Sequence, residues 1–199
     1  MAHASKPRVR SRLWAETGPL CLGSVKILRV KCLVTGQAGS GKSSVAAELT
    51  RRGFVAHDTD EIPGVTGFDS LETGEQVTWE EIGHPIDFSR VAWNWRLDKL
   101  QGLLGSADDV FVCAITSNTV EFARLFDRVF VLVPDRETLA RRLRERTNNT
   151  FGKDPAEAEP VLAHNDVIAE EWQARGGIPI DSARPLEDVV DEILAHVDA

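Results

Sequence analysis

From Val25 to Ala199, short apolar runs alternate with stretches whose apolar positions recur every three or four residues. Runs of the first kind fit buried strands, and stretches of the second fit helices laid over them. The pattern therefore predicts an α/β fold, a central parallel sheet of about five strands flanked by helices in three layers. The strands are read at "KILRVKCLVT", "FVAHD" (Phe54 to Asp58), "DVFVCAIT", "RVFVLV" and "GGIPID". "SSVAAELTRR" reads as a helix that stops at two arginines and Gly53, since cations and a glycine suit a helix carboxyl end. "DFSRVAWNWRLDKLQGLL" carries apolar residues at helical spacing and is read as one helix stopping near Gly105. Asn118, with Glu121 three residues on, predicts a capping box opening "TVEFARLF", and Asp135 is placed to cap "RETLARRLRERT". "NNTFGKDPAEAEP" interrupts the periodicity before a further helix near 161–174. Leu186, Val189, Val190, Ile193, Leu194 and Val197 form the single apolar stripe of a closing helix begun at Pro185.

Composition narrows this picture. At 199 residues the chain suits one domain, expected over residues 25–199, with residues 1–24 expected to be a disordered leader. The leader's apolar patch is broken by Gly18, Pro19 and Gly23, unlike a secretory signal, and no apolar run reaches the ~18 residues of a membrane span. No membrane partner and a cytoplasmic address are therefore expected. The net charge is −8; seven of the 23 basic residues but only one of the 31 acidic residues fall in residues 1–31. The body is thus acidic, which argues against nucleic-acid binding. Cys21, Cys32 and Cys113 form neither a C-x-x-C pair nor a metal-ligand pattern with the five histidines, and are read as reduced thiols.

The chemistry is concentrated in "GQAGSGKS", Gly36 to Ser43, which lies between a predicted strand and a predicted helix and matches G-x-x-x-x-G-K-[ST]. This is a Walker A loop. Gly36, Gly39 and Gly41 let the backbone curl so that the amides of Gln37, Ala38, Ser40 and their neighbours through Ser44 face a phosphate chain, with the dipole of the following helix behind them. Lys42 is expected to reach the β and γ phosphates, and the Ser43 hydroxyl to ligate the Mg²⁺ that bridges them. A GTPase switch generally needs an N-K-x-D segment to read guanine, and none occurs.

With these residues in view, the segment from about Val25 to Ala199 resembles the small P-loop kinases, the group of adenylate and other nucleotide kinases, shikimate kinase and gluconate kinase. "HDTDE" (His57 to Glu61) is similar to the D-x-D after the second strand of shikimate-type kinases, and the arginine-rich helix before "TNNTFGKDP" looks like their lid, here about residues 147–158. The resemblance implies a P-loop NTPase fold with a short lid that closes over ATP while arginines neutralise developing charge. Read physically, Asp58 lies where the Mg²⁺ shell is expected and Asp60 where it can orient or deprotonate an acceptor hydroxyl, although the two roles can be exchanged. Arg142 and Arg146 lie four apart on one helix face leading into the lid, with Lys153 following in the loop.

"VFVCAITSN" ends its strand without the usual Walker B aspartate. Shikimate-type kinases share that absence, which makes Thr116, Ser117 and Asn118 candidate acceptor contacts. Arg96 occupies a place similar to the F-R-x-x-E arginine of shikimate kinases, although Asp98 does not reproduce the acidic spacing; with Arg90 it would suit an anionic acceptor, whereas Trp93 and Trp95 could stack a base or sugar. Arg184 falls where these kinases hold adenine. The expectation is an ATP- and Mg²⁺-dependent kinase, monomer or homodimer, acting on the hydroxyl of a metabolite or nucleoside-like acceptor. Phosphorylation of a nucleotide's phosphate, and an acceptor-free ATPase or regulatory protein, stand as the alternatives.

Overall fold

The structure is a computed structural model that describes residues 30–83, 85–147 and 150–198. The expected leader and two asparagines of the expected lid lie outside the described residues. In chain order the elements are β1 (Lys31–Thr35), α1 (Lys42–Arg51), β2 (Val55–Asp58), a 3₁₀ turn (Thr59–Glu61), β3 (Thr66–Ser70), β4 (Gln76–Val77), α2 (Trp79–Ile82), β5 (Val91–Trp95) and α3 (Leu97–Leu104). They continue with β6 (Val110–Cys113), α4 (Thr119–Phe122) and a second 3₁₀ turn (Ala123–Leu125), then β7 (Arg128–Leu132), α5 (Arg136–Glu145), α6 (Pro155–Asn165), α7 (Ile168–Gln173), β8 (Ile178–Ile180) and α8 (Leu186–Asp198).

Five strands make the expected parallel sheet in the order β2-β6-β1-β7-β8. Strand side chains alternate between faces, and the sequence is apolar on both. Cys32, Val34, Phe111, Cys113, Phe130 and Leu132 pack with α1 and α8 through Val45, Leu49, Val189, Val190 and Ile193. Leu33, Val110, Val112 and Val131 pack on the other face with Leu100, Leu104, Phe122, Ile168 and Trp172. Sheets buried on both sides read as continuous apolar runs, which is why these strands were legible. Burial also keeps both described thiols protonated: the Cys32 thiol is pushed up to about 12 and that of Cys113 is raised as well. Among the described residues no helix is long and apolar enough to cross a membrane.

The stretch read as one long helix folds differently. Residues 87–104 contain β5 and only then α3, and β5 joins β3 and β4 in a second, antiparallel sheet of three strands. The reason lies in "VAWNW". Val91 and Trp95 are four apart, as on a helix face, but Trp93 falls between them, and β-branched and aromatic residues at every second place favour a pleated strand. Arg96 then adopts an extended conformation and precedes α3.

The strand is held on its other edge by the segment after β6. Ser117 N–H donates to the Trp93 carbonyl at 2.6 Å, and Trp93 N–H to Ser117 Oγ at 3.2 Å. Trp95 N–H donates to Asn118 Oδ1 at 3.0 Å, while Asn118 Nδ2 donates to the Trp95 carbonyl at 3.2 Å. Asn118 stands at the amino end of α4 but makes no side-chain cap there, so the expected capping box is replaced by a clip on the second sheet.

Two further boundaries differ. The helix expected near 161–174 begins at Pro155, with Asp154 capping through Ala156 N–H at 2.8 Å, and a second helix follows it. Pro155 sits at the first position, where a missing N–H costs nothing, and Pro160 forfeits one backbone bond. Asp135 does cap α5, accepting from Thr138 N–H at 2.8 Å.

Trp95 anchors the second sheet to the first. It is 2% exposed, and its indole N–H donates to Thr59 Oγ1 at 3.0 Å. Trp95→Ala is expected to cost about 3–5 kcal/mol through the cavity it leaves and the unpaired Thr59 hydroxyl. A denaturant midpoint unchanged from the parent protein would contradict that placement.

Candidate active site

β1 delivers the loop from Gly36 to Ser43 to the carboxyl edge of the sheet, between β6 and β7. Ligand crevices in such sheets form at this edge. Gly36 has φ +141°, and a Cβ there would lie 2.5 Å from the Leu132 carbonyl oxygen, so the loop requires glycine at this point. Gly41, at φ +109°, caps α1 without a side-chain hydrogen bond, leaving the first-turn amides directed into the loop. Lys42 is 9% exposed, and its Nζ donates to the carbonyls of Gly36 at 2.8 Å and Gln37 at 3.1 Å. Burial lowers the pKa of this ammonium, a tendency opposed by the carboxylates of Asp60 and Asp58. Thr35 Oγ1, Ser40 Oγ and Ser182 Oγ are buried without a partner among the described residues. Such hydroxyls are costly unless a ligand meets them, and they fit a cradle for a polar group. Ser43 and Ser44 are exposed at its mouth.

Two of the three acids of "HDTDE", Asp58 and Asp60, act on the Lys42 charge. Asp58 closes β2, and its Oδ1 accepts from Asp60 N–H at 3.2 Å. The Asp60 Oδ1 accepts from the Trp93 indole N–H at 3.2 Å, which joins the acid to the second sheet. Burial raises the Asp60 pKa above the ordinary carboxylate range and Asp58 adds to the rise, while the Lys42 charge and the Trp93 bond oppose it. The Ser43 hydroxyl and the Asp58 carboxylate are hard oxygen donors of the kind Mg²⁺ takes when phosphates and water supply the remaining ligands.

Of the arginine pair at the end of α5, Arg142 reaches the loop and Arg146 the segment that follows the helix. Arg142 donates from Nη2 to the Ser182 carbonyl at 2.9 Å and from Nη1 to the Ser40 carbonyl at 3.4 Å. Arg146 ends α5 and donates to the Phe151 carbonyl; its guanidinium carbon lies 6.0 Å from the centre of the Phe151 ring, and its buried Nε has no partner among the described residues. Burial lowers the pKa of both, and the Arg146 charge is felt at Lys42. Arg141 and Arg144 are exposed.

Other expected contacts lie further out. Arg184, beyond β8, donates to the Asp181 carbonyl and to Glu192 on α8. Lys153 is exposed. Arg96 pairs with Asp69 at 2.8 Å. Asn118 has its amide committed to Trp95, so any acceptor contact there would compete with the strand clip.

A family model described as AAA domain matches residues 32–175. The chain belongs to the AAA domain family. Solved structures share the fold of this AAA domain at low identity. A gluconokinase from Sinorhizobium meliloti 1021 is 22% identical, with 86% of this chain and 93% of that one covered and a TM-score of 0.53. A shikimate kinase from Bacteroides thetaiotaomicron is 15% identical, covering 85% and 99%, at a TM-score of 0.57. The deoxyadenosine kinase from M. mycoides with bound dATP is 14% identical, covering 85% and 100%, at 0.53. The likeness to P-loop small-molecule and nucleoside kinases, inferred from the loop and the sheet, is borne out in the fold. A comparison with curated proteins finds no match.

Several contacts of this AAA domain carry no signal in the sequence. The buried Gln37 amide meets His164 Nδ1 at 2.8 Å, and His164 Nε2 meets Glu171 at 3.0 Å. Glu157, buried in the first turn of α6, accepts from the amides of Ile86 at 2.9 Å and Gly152 at 2.8 Å, tying the second sheet to the segment before α6. Gln37 with His164 and Ile86 with Glu157 are far apart in the chain, so these two contacts are set by tertiary packing. If His164 steadies the loop through Gln37, His164→Ala is expected to raise the KM for ATP about threefold, the worth of one modest hydrogen bond. The side chain is half exposed, so thermal stability should barely change. An unchanged KM would remove His164 from the site.

Proposed function

We propose that this AAA domain protein is an ATP- and Mg²⁺-dependent kinase that transfers the γ-phosphoryl group to a hydroxyl of a small-molecule acceptor. The observation that carries the reading is the buried Lys42 inside the glycine loop, with Arg142 donating to the Ser40 carbonyl of that loop and the carboxylates of Asp58 and Asp60 near enough to act on the Lys42 charge. In this reading the loop amides and Lys42 hold the β and γ phosphates. Arg142 and Arg146 offset charge on the equatorial oxygens as the transition state loosens. Asp60 orients the acceptor hydroxyl. The acceptor oxygen forms its bond to the γ-phosphorus as the bond to the β–γ bridging oxygen breaks, ADP departs, and the hydroxyl proton passes to the Asp60 carboxylate. Ser43 and Asp58 would hold Mg²⁺, which supplies charge neutralisation across the β and γ phosphates when bound. In this reading the segment at about 147–158 acts as the lid; within it the Phe151 ring centre lies 5.7 Å from that of Phe88, in the loop before β5.

The kinases with this fold act on different acceptors, so likeness of fold does not choose among them. The test is ADP release from ATP and Mg²⁺ with a panel of nucleosides, nucleotides, sugar acids and shikimate, followed by product analysis. Acceptor-stimulated ADP release with the matching phosphorylated product supports the kinase. ADP release indifferent to every acceptor would favour the acceptor-free ATPase, and a nucleoside diphosphate as product would favour nucleotide phosphorylation.

A further inference from the structure

The loop from Gly36 to Ser43 occupies the carboxyl edge of the parallel sheet. At the opposite edge, where the paired strands β7 and β8 begin, lies a hollow of about 620 Å³. The buried rings of Phe126 and Trp172 supply apolar wall, and Arg124, Arg128 and Arg175 line it as well. The three arginines come from the 3₁₀ turn after α4, the first residue of β7 and the turn after α7. The fold, rather than one basic stretch of sequence, brings them together. β7 runs five residues from this hollow towards the edge that holds the loop, a rise of about 16 Å, so the hollow is separate from the cradle.

Among the described residues none of the three makes an ion pair. Arg128 donates from Nη1 to the Asp127 carbonyl at 3.2 Å, and Arg175 from Nη1 to the Glu171 carbonyl. Both leave their remaining guanidinium nitrogens uncommitted. Asp127 is the acid of the lining, and its Oδ2 accepts from Lys31 N–H at 2.8 Å. Glu171, one turn before Arg175, pairs with His164 instead. The exposed Arg51, Arg136 and Arg184 behave differently, each reaching a carboxylate: Glu48, Glu159 and Glu192 respectively. Guanidinium forks whose donors are open match the oxygens of phosphate or carboxylate two at a time.

We propose that this hollow binds a small anion carrying two or more negative charges, of the class of phosphorylated metabolites, independently of the nucleotide cradle. Its volume falls within the roughly 300–1,000 Å³ of small-molecule sites. The net charge of −8 favours a small ligand over a macromolecular one: an extended polyanion would lie against acidic surroundings that repel it, whereas a compact anion meets only the local arginines. The inference goes beyond the kinase reading and does not rest on it.

The test is titration calorimetry of the full chain with a hexose bisphosphate, at low ionic strength and without Mg²⁺, beside the free hexose and a glutamate-rich peptide. One saturable site is expected for the bisphosphate, none for the hexose, and weaker binding for the peptide. Added salt is expected to weaken the bisphosphate, because the guanidinium groups are exposed. Arg124 and Arg175 are surface positions, so Arg124→Gln and Arg175→Gln should fold; each is expected to weaken the bisphosphate about tenfold. The Lys42→Ala protein should bind it as the parent does. Binding indifferent to both arginine variants, or lost in Lys42→Ala, would place the anion elsewhere and overturn the inference. The absence of saturable binding, or tighter binding of the peptide, would overturn it equally.

Discussion

Lys42→Ala is expected to remove ATP turnover by about 10³-fold or more, equivalent to about 4 kcal/mol of transition-state stabilisation, while the protein stays folded. The ammonium is the buried cation of the loop, and its bonds in this structure go to the carbonyls of Gly36 and Gln37. Those carbonyls curve around the cradle whether or not the side chain is present, because glycine conformations and the sheet set the loop path. Burial disfavours the charge of Lys42, so its removal relieves a desolvation cost and offsets part of the lost packing. Far-ultraviolet circular dichroism and a thermal melt beside the turnover assay separate the two effects. A variant that unfolds would make Lys42 a structural residue. A variant that still turns over would remove it from catalysis.

The next largest effect is expected at Asp60. Asp60→Asn should lower acceptor phosphorylation by roughly 10²- to 10³-fold, the usual worth of a positioned general base, with ATP affinity kept within a few-fold. Asn keeps an oxygen to accept the Trp93 N–H but cannot take a proton. Asp58→Asn should behave differently, raising the Mg²⁺ concentration needed for half-maximal rate more than it lowers the rate at saturating Mg²⁺. The pair of variants decides which acid serves which partner. If Asp58→Asn loses the acceptor step and Asp60→Asn loses Mg²⁺ dependence, the roles are exchanged.

Much of the architecture was legible because it rests on local rules. The five parallel strands are continuous apolar runs, the α8 stripe has a helical period, and the loop from Gly36 to Ser43 has spacing that few other structures require. The second sheet was hidden for a physical reason. Val91 and Trp95 satisfy a helical spacing and a strand spacing at once, and what decides between them is the pairing of β5 with β3 and with Ser117 and Asn118, none of which is local. The same ambiguity hid the partners of Arg96. On a helix, Arg96 would be an exposed cation awaiting an anion; at the end of β5 it closes onto Asp69 and Gln76. The Arg142 and Arg146 pair was legible from a four-residue spacing, yet their partners, Ser182 and Phe151, are fixed by how α5 meets β8 and the segment before α6. Gln37 was placed in the loop correctly, while its hold on His164 spans most of the domain.

The kinase activity proposed for this protein requires that the amides from Gly36 to Ser44, with Lys42, grip a triphosphate. Isothermal titration of the full chain with a non-hydrolysable ATP analogue, with and without Mg²⁺, tests it most directly. Saturable binding at one site, tightened by Mg²⁺ and lost in Lys42→Ala, is expected. No heat of binding under either condition, or binding of equal strength to the Lys42→Ala protein, would contradict it.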